Sequence, residues 1–455
     1  MGIYNPTNTR CQIMSYVDKD APQYLMGSRT SFLEFLDKVL TVGYNTQSVI
    51  SAVSTTLEDE EVIELGYAEE HGYIVGQLIK ISGATTPELN DIFRVVASSE
   101  DLKKVYIGNF ASGFVPPSSI SGSLVTKVAP LDWEIVYSEQ NRRSYRSKMQ
   151  NSSKNVLTLR YPRIPSYATN PSHAVFHELS VSKDIDLSTG DLIDSYTDSS
   201  EYVQSDTKIK YGAYYFAQQT TSFNNIFSGI TPGNTSRTPW YLIGDGRIFY
   251  LYYSIGHHTN PSEGSEYVNY NRDPNVRHTN RYSFAFGDPN CFDENDVYLG
   301  SGTILNCIHL NNNLTGYASH SDPRLGGIYN SYLAFTQTYD GMYHMSISDI
   351  HSLGTYSPSN FSASHNHNFP NLATKGFLVT PYLINNHGNT EPFYRAELPY
   401  LRYSHQNINS VFNASRRHLF DWVPFKLKDG GVLINIANYD YYGNPYNSYC
   451  ISIGY

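Results

Sequence analysis

Histidine offers this chain its most direct route to chemistry. Of the 15 His residues, His365 and His367 stand two apart. On a strand such a pair shares one face, so both imidazoles could reach one metal ion. His257, His258, His320, His344 and His351 fall in loops or at strand ends and widen the choice. The competing reading is a set of surface or satisfied histidines. It is preferred because 364–368 reads as loop and lies well before the C-terminus. Glycoside hydrolysis would need two carboxylates facing each other across a cleft, and nothing singles out a pair among 42 Asp and Glu. Asp245 and Asp288 sit in turns, where aspartate bonds its own backbone, so a structural role is expected for both. No GxSxG elbow, P-loop or dinucleotide fingerprint occurs. Cys11, Cys291, Cys307 and Cys450 lack CxxC or finger spacing and read as free buried thiols. The expectation is no catalytic residue, no cofactor and no metal.

The surrounding composition points to strands and contact surfaces. Charged residues make up 16% of the 455, and 40 are Tyr. Polarity comes from Asn, Ser, Thr and Tyr, which favour strands and turns over exposed helices. The net charge is −10, and the basic clusters Arg142-Arg143 and Arg416-Arg417 are two residues long. That argues against a nucleic-acid partner. No apolar run reaches membrane-spanning length, and the N-terminus does not read as a signal peptide.

Three parts are expected. Residues 1–27 read as an extended, polar N-terminal arm. A helix follows: Ser31 and Glu34 have capping-box spacing, and Phe32, Phe35, Leu36, Val39 and Leu40 share one face until Gly43 stops it. Residues 48–127 carry 11 acidic against 5 basic residues, a net of −6. They read as five or six short strands, a small barrel or sandwich inserted into a larger domain. The main domain is then 28–47 plus 128–455, a mainly β, sandwich-like unit with one N-terminal helix and a split into sub-domains near 215–240. Gly244-Asp245-Gly246 reads as a hairpin turn. The segments 257–280 and 311–375 read as long polar loops. Trp133, Trp240 and Trp422 are expected as core anchors, with Trp133 beside the helix. At least one of the Tyr-rich strands YYFAQ, FYLYYS and YDYYGNPY is expected to meet another protein on its outer face.

Several segments, in order, resemble a family of tailed-bacteriophage virion structural proteins. They are Leu25-Met26-Gly27 with FLEFLDKVLTVGY, then Trp133-Glu134 with Tyr145-Arg146, then Trp240 to Tyr250 through Gly-Asp-Gly-Arg. Phe286-Gly287-Asp288-Pro289 and Arg395 to His405 complete the series. Residues 71–97, with His71-Gly72, Val75-Gly76-Gln77, Ile81 to Ala84 and Leu89-Asn90, look like a β-module recurring in phage structural proteins. Tyr400 stands where a Gly is common, and Asn90-Asp91 replaces Asn-Gly. The resemblance implies a virion protein assembled in the bacterial cytoplasm. It would be placed in the tail or baseplate and work by contact with other virion proteins and copies of itself. Its rivals are a capsid-surface decoration protein, a host-receptor or glycan-binding tail protein acting through 257–280 and 311–375, and, last, a polysaccharide depolymerase.

Overall fold

The computed structural model describes residues 11–23, 31–57, 59–108, 115–160 and 174–195. Beyond them it describes strands and turns at 214–220, 240–256, 280–292, 298–301, 303–306, 332–335, 343–348, 378–379, 382–385, 395–397, 399–404, 421–426, 432–439 and 445–453. The chain is mainly β, and every strand pairing among the described residues is antiparallel.

Strand β1, Gln12–Ser15, is buried along its whole length. Helix α1, Ser31–Leu36, continues as a π-helical turn over Asp37–Val42. Gly43 ends it at φ +84, its N–H donating to Lys38 O at 2.7 Å. An added Cβ there would collide with Val128 O, so the stop is one that glycine alone makes without strain.

The next seven strands form one sheet. They are β2 (Tyr44–Ser48), β3 (Ser51–Leu57), β4 (Glu60–Gly66), β5 (Leu78–Ala84), β6 (Ile92–Ser98), β7 (Lys104–Gly108) and β8 (Gly122–Val128), in the spatial order β2-β8-β5-β6-β7-β4-β3. All seven come from one continuous stretch. The sheet therefore begins and ends within a few residues of the 48–127 expected for the insert, with Tyr44–Gln47 and Val128 added. Its two outer strands are successive parts of one bent run. Val49 N–H bonds to Leu124 O at 3.0 Å, and Ile50 N–H to Gly66 O at 2.8 Å. The bend rolls the sheet up without closing the ladder. Between β3 and the segment before β8, the bond shown is Ser54 Oγ to Pro117 O, 2.6 Å.

The chain re-enters through the hairpin β9 (Trp133–Glu139) and β10 (Arg142–Ser147). Strands β11 (Val156–Arg160), β12 (Ala174–Ile185), β13 (Leu192–Ser195) and β14 (Tyr214–Thr220) extend it into a six-stranded sheet. Strands β15 (Trp240–Gly244), β16 (Ile248–Gly256) and β17 (Asn280–Gly287) follow in a third sheet, where β1 pairs with β15. That sheet runs on through Thr303–Asn306, Tyr332–Phe335, Tyr343–Ser348, Tyr382–Asn385, Arg395–Glu397, Asn290–Phe292 and Tyr298–Ser301. A fourth sheet has five strands, from Leu378–Val379 to Asp421–Lys426.

The core lies where these parts meet. Trp240 and Leu242, Phe249 and Leu251, and Phe284 and Phe286 alternate along β15–β17, so each pair points to one face. Helix α1 and the hairpin cover that face. Phe35 meets the Trp240 ring edge-on at 4.8 Å, and Trp133 lies 5.6 Å from both Phe249 and Phe286. The opposite face is buried too, through Ile243, Ile248, Tyr250 and Ala285. Burial on both faces explains why these strands read as unbroken apolar runs.

One expectation changes and two gain detail. Residues 11–16 are not a free arm: β1 is a buried edge strand of the third sheet, paired with β15, and Tyr16 N–H donates to Trp240 O at 3.0 Å. The helix meets Trp240 through Phe35 and Phe284 through Phe32, while Trp133, at the start of a strand that touches the π-helical turn, packs with Phe249 and Phe286. The FYLYYS strand does not offer Tyr250 to a neighbour, since that ring is 1% exposed within its own chain. Of the segments expected as loops, 257–279 lies outside the described residues, as does 311–375 apart from the strands Tyr332–Phe335 and Tyr343–Ser348; the side chain of Trp422, Arg416-Arg417 and residues 440–444 lie outside them too.

Candidate functional site

Two clusters gather titratable side chains, and both hold distant chain segments together. The first lies in the seam between β1 and the seven-stranded sheet. No ladder joins these elements; buried side chains replace it. Gln12 Nε2 donates to Leu78 O and Ala129 O at 2.8 and 2.7 Å, and its Oε1 accepts from Leu78 N–H at 2.8 Å. Gln77 Nε2 reaches back to Ile13 O and to Asp18. Arg94, 1% exposed, donates to Gly76 O at 2.5 Å and to Cys11 O at 3.3 Å.

Asp18 stands at the centre of this seam. Its carboxylate accepts from Ser15 N–H and Oγ at 3.0 Å each, from Tyr44 Oη, and from Gln77 Nε2 at 3.0 Å. Burial pushes its pKa up, while these donors pull it down. The same charge, together with burial, drives the Tyr44 phenol well above its ordinary range.

His71 closes the far end of the seam. Its Nδ1 accepts from Tyr73 N–H at 2.9 Å, which leaves Nε2–H to donate to Ser98 Oγ at 3.0 Å. The ring stacks on Tyr73 at 5.6 Å. Burial lowers its pKa to about 4. The folded state therefore refuses a proton that the unfolded chain accepts below about pH 6.5. The stability His71 supports is complete above pH 6.5 and falls as pH drops towards 4. We expect His71→Gln to remove about 2 kcal/mol of acid sensitivity between pH 7 and 4.5, read as the difference in urea midpoints. Asp18 and Asp288, whose pKa values burial raises, act in the opposite sense but are common to both proteins. Equal acid sensitivity in variant and wild type would rule out a buried neutral His71.

The second cluster is built on the two turns singled out in the sequence. Asp245 Oδ1 accepts from the N–H groups of Arg247 and Ile248 at 2.7 and 3.0 Å, which sets the β15–β16 turn. Its backbone oxygen accepts from Trp133 Nε1 at 3.0 Å, and its other carboxylate oxygen from the Tyr400 hydroxyl. Tyr400 has φ +68, the left-handed region that glycine enters most freely. Asp288 accepts from Ser153 N–H and Oγ at 2.5 and 2.7 Å and from Thr303 Oγ1 at 2.9 Å. Asn155 Nδ2 donates to Thr303 Oγ1 at 2.7 Å. Serine here bonds a carboxylate with no histidine among its described partners, so the arrangement tethers the 147–155 loop. The structural role expected for both aspartates matches this geometry.

The module residues act alike. Gly83 has φ +82, and an added Cβ would strike Ser123 O. Asn90 bonds both Ala84 N–H and Ala84 O at 2.9 Å with its side chain. Of the candidate histidines, His344 lies on the strand Tyr343–Ser348 with its side chain outside the described set. His257, His258, His320, His351, His365 and His367 lie wholly outside it. Cys11 is buried and unpaired by any disulfide, and burial pushes its thiol pKa far up. Among the described residues no group of three His, Cys, Asp or Glu could hold a metal ion, and no helix is long and apolar enough to cross a membrane.

Sequence reasoning missed Gln12, Asp18, Arg94 and Ser153. Ser15-x-x-Asp18 was an available turn signal; the others carry no local signature. Comparisons with protein-family models, curated proteins and solved structures return no match for this chain.

Proposed function

We propose that this chain is an architectural component of a tailed-phage particle, placed in the tail or baseplate and acting by protein–protein contact. The carrying observation is what its buried polar groups do. Asp18, Arg94, Asp245 and Asp288 each bind segments far apart in sequence into one core. Segments that resemble the virion family supply two of these groups, Asp245 and Asp288, and the Trp133 indole that donates to Asp245 O; the module 71–97 supplies Arg94. A site for catalysis would leave such groups facing a cleft, whereas these brace a body that carries load through contact.

Location tests the reading. Antibody or gold labelling of purified particles, followed by reconstruction, should place the chain in the tail or baseplate. Phage lacking it should yield incomplete tails. Complete particles that fail only to adsorb would instead favour receptor binding through 257–280 and 311–375, and release of reducing ends from host capsule would favour a depolymerase.

A further inference from the structure

The seven-stranded sheet carries a like-charge pair at odds with its own stability. Lys80 on β5 and Lys127 on β8 are direct cross-strand partners. They therefore project from the same face, where like charges destabilise. Lys38, exposed on the π-helical turn, lies near enough for its charge to reach Lys127. Burial, Lys80 and Lys38, in that order, hold the Lys127 ammonium below its usual range. Lys127 Nζ donates to Val42 O at 2.6 Å, and the Val42 side chain stands 42% exposed. Lys127 thus reaches the backbone of an exposed apolar residue, with the charges of Lys80 and Lys38 close enough to act on it. Among the described residues no carboxylate pairs with any of the three. This basic face sits on a segment whose net charge is −6 and in a chain whose net charge is −10.

The same sheet bears the complement. The β3–β4 turn carries the run Glu58 to Glu61, with Asp59 and Glu61 exposed and Asp59 held at φ +67. A tight turn projects its charges outward on a rigid hairpin and requires little ordering on contact.

We propose that the Lys38–Lys80–Lys127 face receives the acidic β3–β4 turn of a second copy of this chain. The two patches differ, so the contact is head-to-tail, the kind that generates rings or open stacks. It rests on the architectural reading for its partner being another copy, and it names the surface by which copies meet. Complementary charge sets the register and speeds encounter, and Val42 supplies the desolvated centre.

The test uses the purified full chain in sedimentation velocity at low and high salt. Wild type should self-associate at low salt and dissociate at high salt. K80E with K127E, and separately D59K with E61K, should each weaken association by about 100-fold, the scale of close charge-pair coupling. An equimolar mixture of the two variants should restore it, because each then offers what the other lacks. Zero-length carbodiimide coupling of mixed light and heavy isotope-labelled copies should join Lys80 or Lys127 to Asp59 or Glu61 between copies. Lys80→Gln with Lys127→Gln guards against misfolding: it should melt no lower than wild type yet associate less. A wild type that stays monomeric, a neutral double variant that associates as wild type does, or a mixture that fails to recover would each overturn the contact. A monomeric wild type still found in labelled particles would leave the architectural reading standing. Absence from particles with salt-sensitive association intact would sink that reading and not the contact.

Discussion

Trp240→Ala should lower unfolding stability by about 4 kcal/mol, the largest single loss expected of a core residue here. Trp240 is fully buried at the junction of three elements. Its strand pairs with β1 on one side and β16 on the other. Its ring takes the edge of Phe35 at 4.8 Å, and its Nε1 donates to Pro22 O at 3.0 Å. Truncation would open a cavity where helix and sheet meet, and it would leave the Pro22 carbonyl without its indole donor. Trp240→Phe separates these effects. It keeps most of the ring volume against Phe35 and loses the hydrogen bond, so a loss of about 1–2 kcal/mol is expected. Urea midpoints with matched slopes provide the measurement. A loss below about 1 kcal/mol for the alanine variant would mean that Trp240 is not the helix's anchor.

Why the arm was misread and the helix was not comes down to how burial is encoded. The helix announces itself through Phe32, Phe35, Leu36, Val39 and Leu40 on one face, and Gly43 marks its end; all five apolar residues are buried. The Gly244-Asp245-Gly246 turn was legible for a similar reason, since turn chemistry is local. Residues 11–18 offer Gln12, Ser15 and Asp18, which a hydropathy pattern assigns to solvent. Gln12 and Asp18 are held by partners 26 to 117 residues away, and no local window of sequence contains those partners. That Phe35 meets the Trp240 ring was hidden in the same manner: both tryptophans are buried anchors, and only the packing of the helix on β15–β17 brings Phe35 to one of them. Of the seven strands in the rolled sheet, six lie within 48–127 apart from Val128, and five or six were read there; β2 was not read as a strand because YNTQS has no apolar run.

Asp18→Ala should destabilise the fold by about 3–4 kcal/mol, through what it leaves behind more than through what it removes. Four donors converge on this carboxylate: Ser15 N–H, Ser15 Oγ, Tyr44 Oη and Gln77 Nε2. The group is 8% exposed, so water cannot replace it fully. Ser15 and Tyr44 can turn their hydroxyls elsewhere. The Ser15 N–H cannot turn, and Gln77 is already committed to Ile13 O. Asp18→Asn sharpens the test. The amide keeps the volume and one acceptor but offers two protons to a site built entirely of donors, so its loss should approach that of alanine. A carboxylate needed only for shape would make asparagine nearly neutral. Because β1 is joined to the seven-stranded sheet by side chains alone, the damage should be local first. Hydrogen exchange at Gln12–Ser15 and Gln77–Leu78 should accelerate before the β15–β17 ladder does. Uniform acceleration across both sheets would show instead that the seam and the core open as one unit, and that Asp18 holds more of the molecule than its four partners.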